Sequence, residues 1–536
     1  MRPQAIPAAA GLLVIVVAAG GAAVHADPAA FRQADENGRQ ANEAFHRCHR
    51  FVEGWLRHAD PKTGLIPRNL GPDTDIWNPW DAAADNYPFM VLTAAITDRP
   101  LFDGRMLDML HTETKLTSRL DRLPDVYSFS KQGFRDEKLN LDQLIFGGTE
   151  YAKDGLMPLT EWLGPSPWSQ RMIGIVDDIW KHAPVPTPFG AIPSTSQEVN
   201  GECMQVLARL FFMTGQRKYL DWGLRLADYY LLDGHHPTRD EEVVRFRDHG
   251  CETLSGLSEI YLAASFAAPE KKTAYEGPIH RMFDRCLEIG RNEHGLFYNA
   301  VNTRTGKPAR EGLCDTWGYT YNGIYTVYLI DKTATYRDAV RKVLSNLNGH
   351  YRDHAWGPPS VLSDELADSI ESGINLFNRE PVPSAAEWID YSIRRMFAIQ
   401  KPDGVIEGWH GDGNFARTAI MYALWKTQGL TIRPWRKDVR FGAVRKDGML
   451  YVSLTADAPW QGKLLFDIPR HKVNLKLPLD YPRINHFPEW FTVDAEAEYK
   501  VTIDGKTETH MGRELAAGLP IELKGDTSAV RLSVKR

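Results

Sequence analysis

A chain of 536 residues, 43% of them apolar, has material for a large core and two domains. Its net charge of -6, with both signs mixed along the chain, excludes the basic footprint of a nucleic-acid binder or of a protein held on anionic lipid. Five cysteines (Cys48, Cys203, Cys251, Cys286 and Cys314) are too widely spaced, and odd in number, for a disulfide framework or a zinc site; buried thiols are expected, with no metal and no cofactor.

The chain opens on a secretory signal over residues 1–26. Arg2 is followed by an apolar run from about Ala8 to Val24 and by the small-residue cleavage site Val24-His25-Ala26. The run is too short to favour a membrane span. The mature protein is therefore expected to be exported, periplasmic or extracellular, with no span left after signal removal.

Residues 27–435 alternate between two kinds of helix. One kind is amphipathic, as where Tyr336, Ala339, Val340, Val343, Leu344 and Leu347 form a stripe opposite Arg337, Asp338, Arg341 and Lys342. The other is apolar nearly all round, over about 87–97, 200–213, 251–266, 317–330 and 415–428, and a helix without a polar face belongs inside a large protein. The alternation recurs every 45–65 residues or so, the period of stacked helical hairpins. Closing the stack removes the need for polar capping repeats. The pattern predicts a mainly α fold, an (α/α) toroid of six or seven hairpins, with the stretch 100–185 blurred by prolines and glycines.

From residue 436 to 536 the pattern changes to short alternating runs with turn signals at Asp447-Gly448 and Asp504-Gly505. These predict strands and hairpins, hence a small C-terminal β-sandwich with no chemistry of its own.

In a ring of hairpins the inner helices run the same way, so their N-terminal ends, with free N–H groups and partial positive charge, meet at one mouth. Polar residues at those ends are the candidate site. The first group is Trp77, Asn78, Pro79, Trp80 and Asp81, where Asn78 and Pro79 read as a cap and first helical residue and Asp81 as dipole-matched structure; Asp85 and Asn86 follow. Next, Thr195 and Glu198 have capping-box spacing, and Glu202 lies one turn deeper, where pairing with an arginine is expected. His249 and Glu252 stand three apart at the next helix start, Asp248 serving as a cap. Asp315, Trp317, Tyr319 and Tyr321 begin another. Asp364, Asp368 and Glu371, with Leu366, Ile370 and Ile374 opposite, read as a solvated acidic face. Last come Trp409, His410, Asp412, Asn414 and Arg417. The fifteen tryptophans and twenty tyrosines suit stacking on sugar rings as well as ordinary core.

Four stretches together resemble the six-hairpin glycosidase superfamily, the (α/α) toroids that include unsaturated glucuronyl hydrolases, GH154-like β-glucuronidases and β-L-arabinofuranosidases. They are Asp60 to Pro67, Trp80 to Phe89, His249 to Gly256 and Trp409 to Thr418, and the resemblance covers about 31–430. The paired-cysteine motif of the arabinofuranosidases is not matched. The resemblance implies an exported glycoside hydrolase acting on a plant or algal oligosaccharide, with uronic-acid-containing chains among the candidates. Such hydrolysis needs one protonated carboxylic acid and one carboxylate, about 6.5–9.5 Å apart for inversion and about 5 Å for retention.

The expected catalytic pool is Asp85, Glu252, Asp315 and Glu198. Trp77, Trp80, Asn86, His249, Trp317, Tyr319, Trp409, Asp412 and Arg417 are expected to bind substrate, the tryptophans by stacking and Arg417 by pairing with a uronate. An alternative is a polysaccharide lyase with Tyr319 or His249 as base and Arg417 or Asn200 as neutraliser. A second is a carbohydrate-binding protein without turnover.

Overall fold

The computed structural model describes residues 27–247, 250–358 and 362–536. Residues 1–26, expected to be a signal sequence, and Asp248 and His249 lie outside the described residues. No helix among the described residues is long and apolar enough to cross a membrane.

The fold is mainly helical. Outer and inner helices alternate along the chain as α1 (Pro28–Leu56) and α2 (Tyr87–Thr97), then, past the single turn α3 (Arg99–Leu101), α4 (Leu107–Thr117) with α5 (Leu141–Glu150) and α6 (Met157–Leu163). After these come α7 (Pro167–Lys181) and α8 (Gln197–Thr214), α9 (Arg217–Leu232) and α10 (Cys251–Ala267), and α11 (Pro269–Ile289) and α12 (Trp317–Asp331). Two further pairs complete the set, α13 (Ala334–His350) with α14 (Leu362–Arg379) and α15 (Pro383–Phe397) with α16 (Asn414–Thr427). Among the described residues this makes seven hairpins, including one in the stretch that the sequence left blurred.

The inner helices close on themselves. α8 packs on α10, α10 on α12, α12 on α14, α14 on α16, α16 on α2, α2 on α6, and α5 on α8. α10, α12 and α16 are buried over nearly their whole length, as their lack of a polar face requires. The tightest crossing is between α8 and α10: a Cβ on Gly201 would overlap the Glu252 backbone, and one on Gly256 would overlap Gly201. Glycine at both positions lets two helix axes approach more closely than any side chain allows. Gly215, at φ +70°, ends α8 in the left-handed conformation and turns the chain directly into α9.

Two inner helices are interrupted by π-helical turns, Pro79–Asn86 before α2 and Tyr151–Leu156 between α5 and α6. The two turns pack on each other, with Gly155 against Pro88 and the carbonyls of Ala83 and Ala84. Each adds a residue to the turn and re-aims its side chains, a device common at functional sites.

The C-terminal strands form two antiparallel sheets. In the larger the spatial order is Val439–Lys446, Met449–Ala456, Val530–Lys535, Glu498–Ile503 and Lys506–Met511; in the smaller it is Leu519–Leu523, Trp460–Leu465 and Thr431–Arg433. Asp447-Gly448 and Asp504-Gly505 turn the two hairpins with φ positive at both residues, the twist-matched two-residue turn. The larger sheet lies on α1.

Between the strands, the irregular stretch 479–487 enters the helical ring. Tyr481 donates to Glu259 on α10 (2.7 Å), which also takes both arms of Arg209 from α8 (2.9 and 2.6 Å). Arg483 is fully buried and donates to Glu161 on α6 (2.5 Å), while its carbonyl accepts from Asn375 on α14 (3.3 Å). A chain segment hydrogen-bonded to α6, α10 and α14, and through Glu259 to α8, closes one end of the ring.

Candidate active site

The mouth of the ring holds a cavity of about 310 Å³. Its described wall carries eight carboxyl groups (Asp81, Asp85, Glu150, Asp154, Glu202, Glu252, Asp364 and Asp368) against the cations Arg68, Lys153 and Arg417, with His410, Tyr319 and the rings of Trp80, Phe146 and Trp409.

Asp85 sits on the first π turn. Its side chain is 21% exposed, into the cavity, yet surrounded by protein. Burial pushes its carboxyl well above the usual range, and the charges of Asp154 and Asp81 push the same way against Arg417. His410 donates from Nδ1 to the Gly411 carbonyl (3.0 Å), which leaves Nε2 facing Asp81 at 3.7 Å and Asp85 at 3.8 Å. Asp81 itself takes Arg68 (2.6 Å) and the Asn78 amide (2.5 Å), while the Asn78 side-chain oxygen caps Ala82 (2.9 Å). The Asn78–Pro79 start is thus as the residues imply, and Asp81 is both dipole-matched and on the cavity wall.

Asp154, on the second π turn, is held from two sides. The Lys153 ammonium lies 2.7 Å from its Oδ1, and the Asn485 amide donates to the same oxygen at 2.5 Å. Lys153 also reaches Glu252 at 2.8 Å, and Gln205 donates to Glu252 at 2.5 Å. Burial raises the Glu252 carboxyl, with Lys153 opposing.

The acids read as a solvated face belong to this cavity instead. Asp364 and Asp368 line it, and Glu371 is fully buried behind them. Arg417 ties them together: Nη2 meets Asp368 (2.6 Å) and Glu371 (2.9 Å), and Nη1 donates to Asn414 and Asn485 (2.8 Å each). The Tyr319 hydroxyl donates to the same two acids (3.1 and 3.0 Å), and burial beside them holds the phenol well above its usual pKa. The stripe misled because its apolar partners pack outward, between inner and outer helices, while the acids point at the axis.

Other expected residues lie elsewhere. Trp77 is buried in a short strand, edge-on to Tyr151 at 6.5 Å, and Trp317 is fully buried, donating to Ser369 at 3.3 Å. Neither lines the cavity, so both are core. Asp315 is buried off the wall, 3.4 Å from Arg247. Asn86 is buried under Gly411, and Asp412 accepts from the Asn414 N–H (3.1 Å); both stand behind the wall. Asn200 is engaged by the Ser194 carbonyl (2.7 Å) and the Tyr230 hydroxyl (3.1 Å). Trp80 lies on the wall, and Trp409, 55% exposed, stands at the open rim.

The expected capping box at Thr195 does not form. Helix α8 is capped one residue later, at Ser196, without a side-chain bond, and Glu198 turns inward toward Glu150 and Glu202. Among the described residues no arginine pairs with Glu202; burial and the charge of Asp154 raise its carboxyl, with Lys153 opposing.

The sequence reading missed Glu150, Lys153, Asp154 and Asn485. A signal for Asp154 existed: like Asp85 before Pro88, it is an acid one turn ahead of a proline, Pro158, inside an apolar run. None existed for Asn485, which reaches the site from the C-terminal region with φ +59°.

Comparison with known proteins gives no family: no family profile and no curated sequence matches. Solved structures similar to parts of the chain include the α-1,6-mannanase of glycoside hydrolase family 76 from a Salegentibacter species, 8% identical over 72% of this chain and 98% of that one, at a TM-score of 0.40. Cellobiose 2-epimerase from Bacillus thermoamylovorans is 10% identical over 53% and 86%, at 0.36. A possible member of glycoside hydrolase family 105 from Salmonella enterica is 13% identical over 59% and 90%, at 0.37.

Proposed function

We propose that this protein is an exported glycoside hydrolase in which Asp85 is the general acid and Asp154 the carboxylate that activates water or attacks the anomeric carbon. The observation that carries the reading is the contrast between these two groups in one cavity. Asp85 is desolvated, crowded by acids and held toward its protonated form, whereas Asp154 is gripped by an ammonium and an amide. Glycosidic cleavage needs one carboxyl held toward its protonated form and a second one positioned by fixed donors. Asp85 protonates the departing oxygen, and Asp154 either takes a proton from the water that adds to the anomeric carbon or attacks that carbon itself, water then releasing the sugar. Trp80 on the wall and Trp409 at the rim supply faces for sugar rings.

The charge of the wall supports a neutral sugar over a uronate at the reacting position. Arg68 is engaged by Asp81 and Asp73, Lys153 by Asp154 and Glu252, and Arg417 by Asp368 and Glu371. An incoming carboxylate would meet a surplus of acids and no cation without an acid partner among the described residues of the wall. The lyase alternative has less support, because Tyr319 donates its proton to two carboxylates and is a poor base.

The test is incubation with neutral and uronate-containing oligosaccharides, following reducing ends together with absorbance in the unsaturated-uronate band. New reducing ends without absorbance change, abolished in D85N and D154N, are the expected result. Rising absorbance would establish the lyase, and binding without turnover across the panel would establish a lectin-like protein.

A further inference from the structure

The cavity wall holds a second cluster that the acid/base pair does not use. Glu198 and Glu202 stand one turn apart on α8, and Glu150 ends α5 beside them, with one carboxyl oxygen of each within 4.8 Å of the other two. Carboxylates this close repel unless something positive sits among them. A separate observation bears on what lies among them. Glu202 is 1% exposed and Glu150 8%, the two acids lie within hydrogen-bond reach of each other, and the buried atoms Glu202 Oε2 and Glu150 Oε1 receive no N–H or hydroxyl donor from the described residues. Buried polar atoms almost always have a partner, and an orphan in a well-packed wall marks an ion, a water or a proton that the protein chain does not itself supply. The nearest ammonium, Lys153, already bridges Asp154 and Glu252.

We propose that Glu150, Glu198 and Glu202 bind a divalent, oxygen-preferring cation of the calcium class. The donors are carboxylates alone, with no thiolate or imidazole among them, which selects a hard ion over zinc or copper. Three oxygens within 4.8 Å of one another can share one calcium ion at about 2.3–2.6 Å each, and an all-carboxylate cradle with one open face suits calcium's flexible six to eight oxygens better than the strict octahedron, mostly of water, that magnesium keeps. Glu150 and Glu202 line the cavity, so the ion's outward face is open to water or to the paired hydroxyls of a sugar, completing the six to eight oxygens calcium takes.

The deciding experiment is calorimetric titration of the chelator-treated full chain with calcium chloride, near pH 7.5 and near pH 5, with melting temperature in parallel. One saturable site is expected, with a rise of several degrees in melting temperature, weaker affinity at the lower pH where protons compete, and weaker binding of magnesium. E202Q and E150Q should each abolish it. Both substitutions relieve repulsion with an amide of the same shape, so the metal-free variants should melt at or above wild type, which separates lost binding from lost folding. No saturable heat from calcium, magnesium or manganese up to about 10 mM, or binding that persists in either variant, overturns the site and leaves a shared proton as the occupant. The readouts are binding and stability, so this result stands apart from success or failure of the glycosidase assay.

Discussion

Asp85 is under two opposed demands, since the features that suit it to deliver a proton also strain the folded state. Its carboxyl titrates above the ordinary range when folded and within it when unfolded. As pH rises between those two values the unfolded chain ionises first, and the native state loses stability. D85N should therefore lower turnover roughly 100- to 10,000-fold. It should melt at or above wild type near neutral pH, with the difference shrinking in acid; a variant destabilised at every pH would make Asp85 a structural acid. Glu371 has the same sign for the same first cause. Burial lifts it to about 7 against the pull of Arg417, so stability falls as pH climbs from 4.5, its ordinary value, through about 7. E371Q should flatten part of that fall in a plot of melting temperature against pH, while Asp368 still holds Arg417; an unchanged slope would mean that Glu371 is ionised throughout. Residues of this kind are partly legible in a sequence. Asp85 and Glu252 stand at the starts of apolar helices, where a carboxyl has few places to go but the cavity. Trp77, in the strand just ahead of an inner helix, and Trp317, at the start of another, obey the same rule and are core, because a position near a helix start does not say which way the side chain points. Glu198 stands in the expected pool despite an apparent capping box, which the helix start, one residue later, does not use.

At the scale of elements, two contacts position the site. The first is the glycine crossing of α8 and α10, which brings Glu202 and Glu252 to one wall. G201A would drive a methyl into the Glu252 backbone, and overpacking of this sort destabilises by about 1–3 kcal/mol; urea unfolding that moves by less would show that the crossing yields. The second is the buried pair Arg483–Glu161, both side chains at or below 1% exposure. Removing one partner leaves a buried charge alone, at about 3–5 kcal/mol, so R483A should be strongly destabilised and the double variant R483A/E161A should recover part of the loss. The helices themselves were readable from period and polarity alone. The π turns were not: one extra residue shifts the face that a helix presents, and no composition signal accompanies it. The hairpins at Asp447-Gly448 and Asp504-Gly505 were readable because few residue pairs accept positive φ twice in succession.

For the whole molecule, the question is whether the C-terminal region is an addition to the ring or part of it. The sequence points to an addition, since the change of pattern after Pro434 is sharp and the strands carry no polar cluster. Contacts made far along the chain leave no periodic trace, and here they reach both the outer helix α1 and the axis of the ring. The sheet Val439–Lys446 lies along α1, with Gly38 against Gly442, and the stretch 479–487 fills the axis and presents Asn485 between Asp154 and Arg417. The backbone N–H of Asn485 also donates to Glu371 at 2.7 Å. Removing residues 431–536 would strip the apolar face of α1 and leave Glu161, Glu259, Glu371 and Arg209 lining an open, wet channel with several of their partners gone. Such a truncation should be insoluble or should lose its cooperative melt, because buried acids and apolar helix faces are exposed together. A soluble ring with an unchanged melting transition would show that the helical hairpins fold alone. N485A in the full chain then separates support from chemistry: the fold should persist with a cooperative melt, whereas turnover should fall as Asp154 loses the amide that holds its Oδ1 in place.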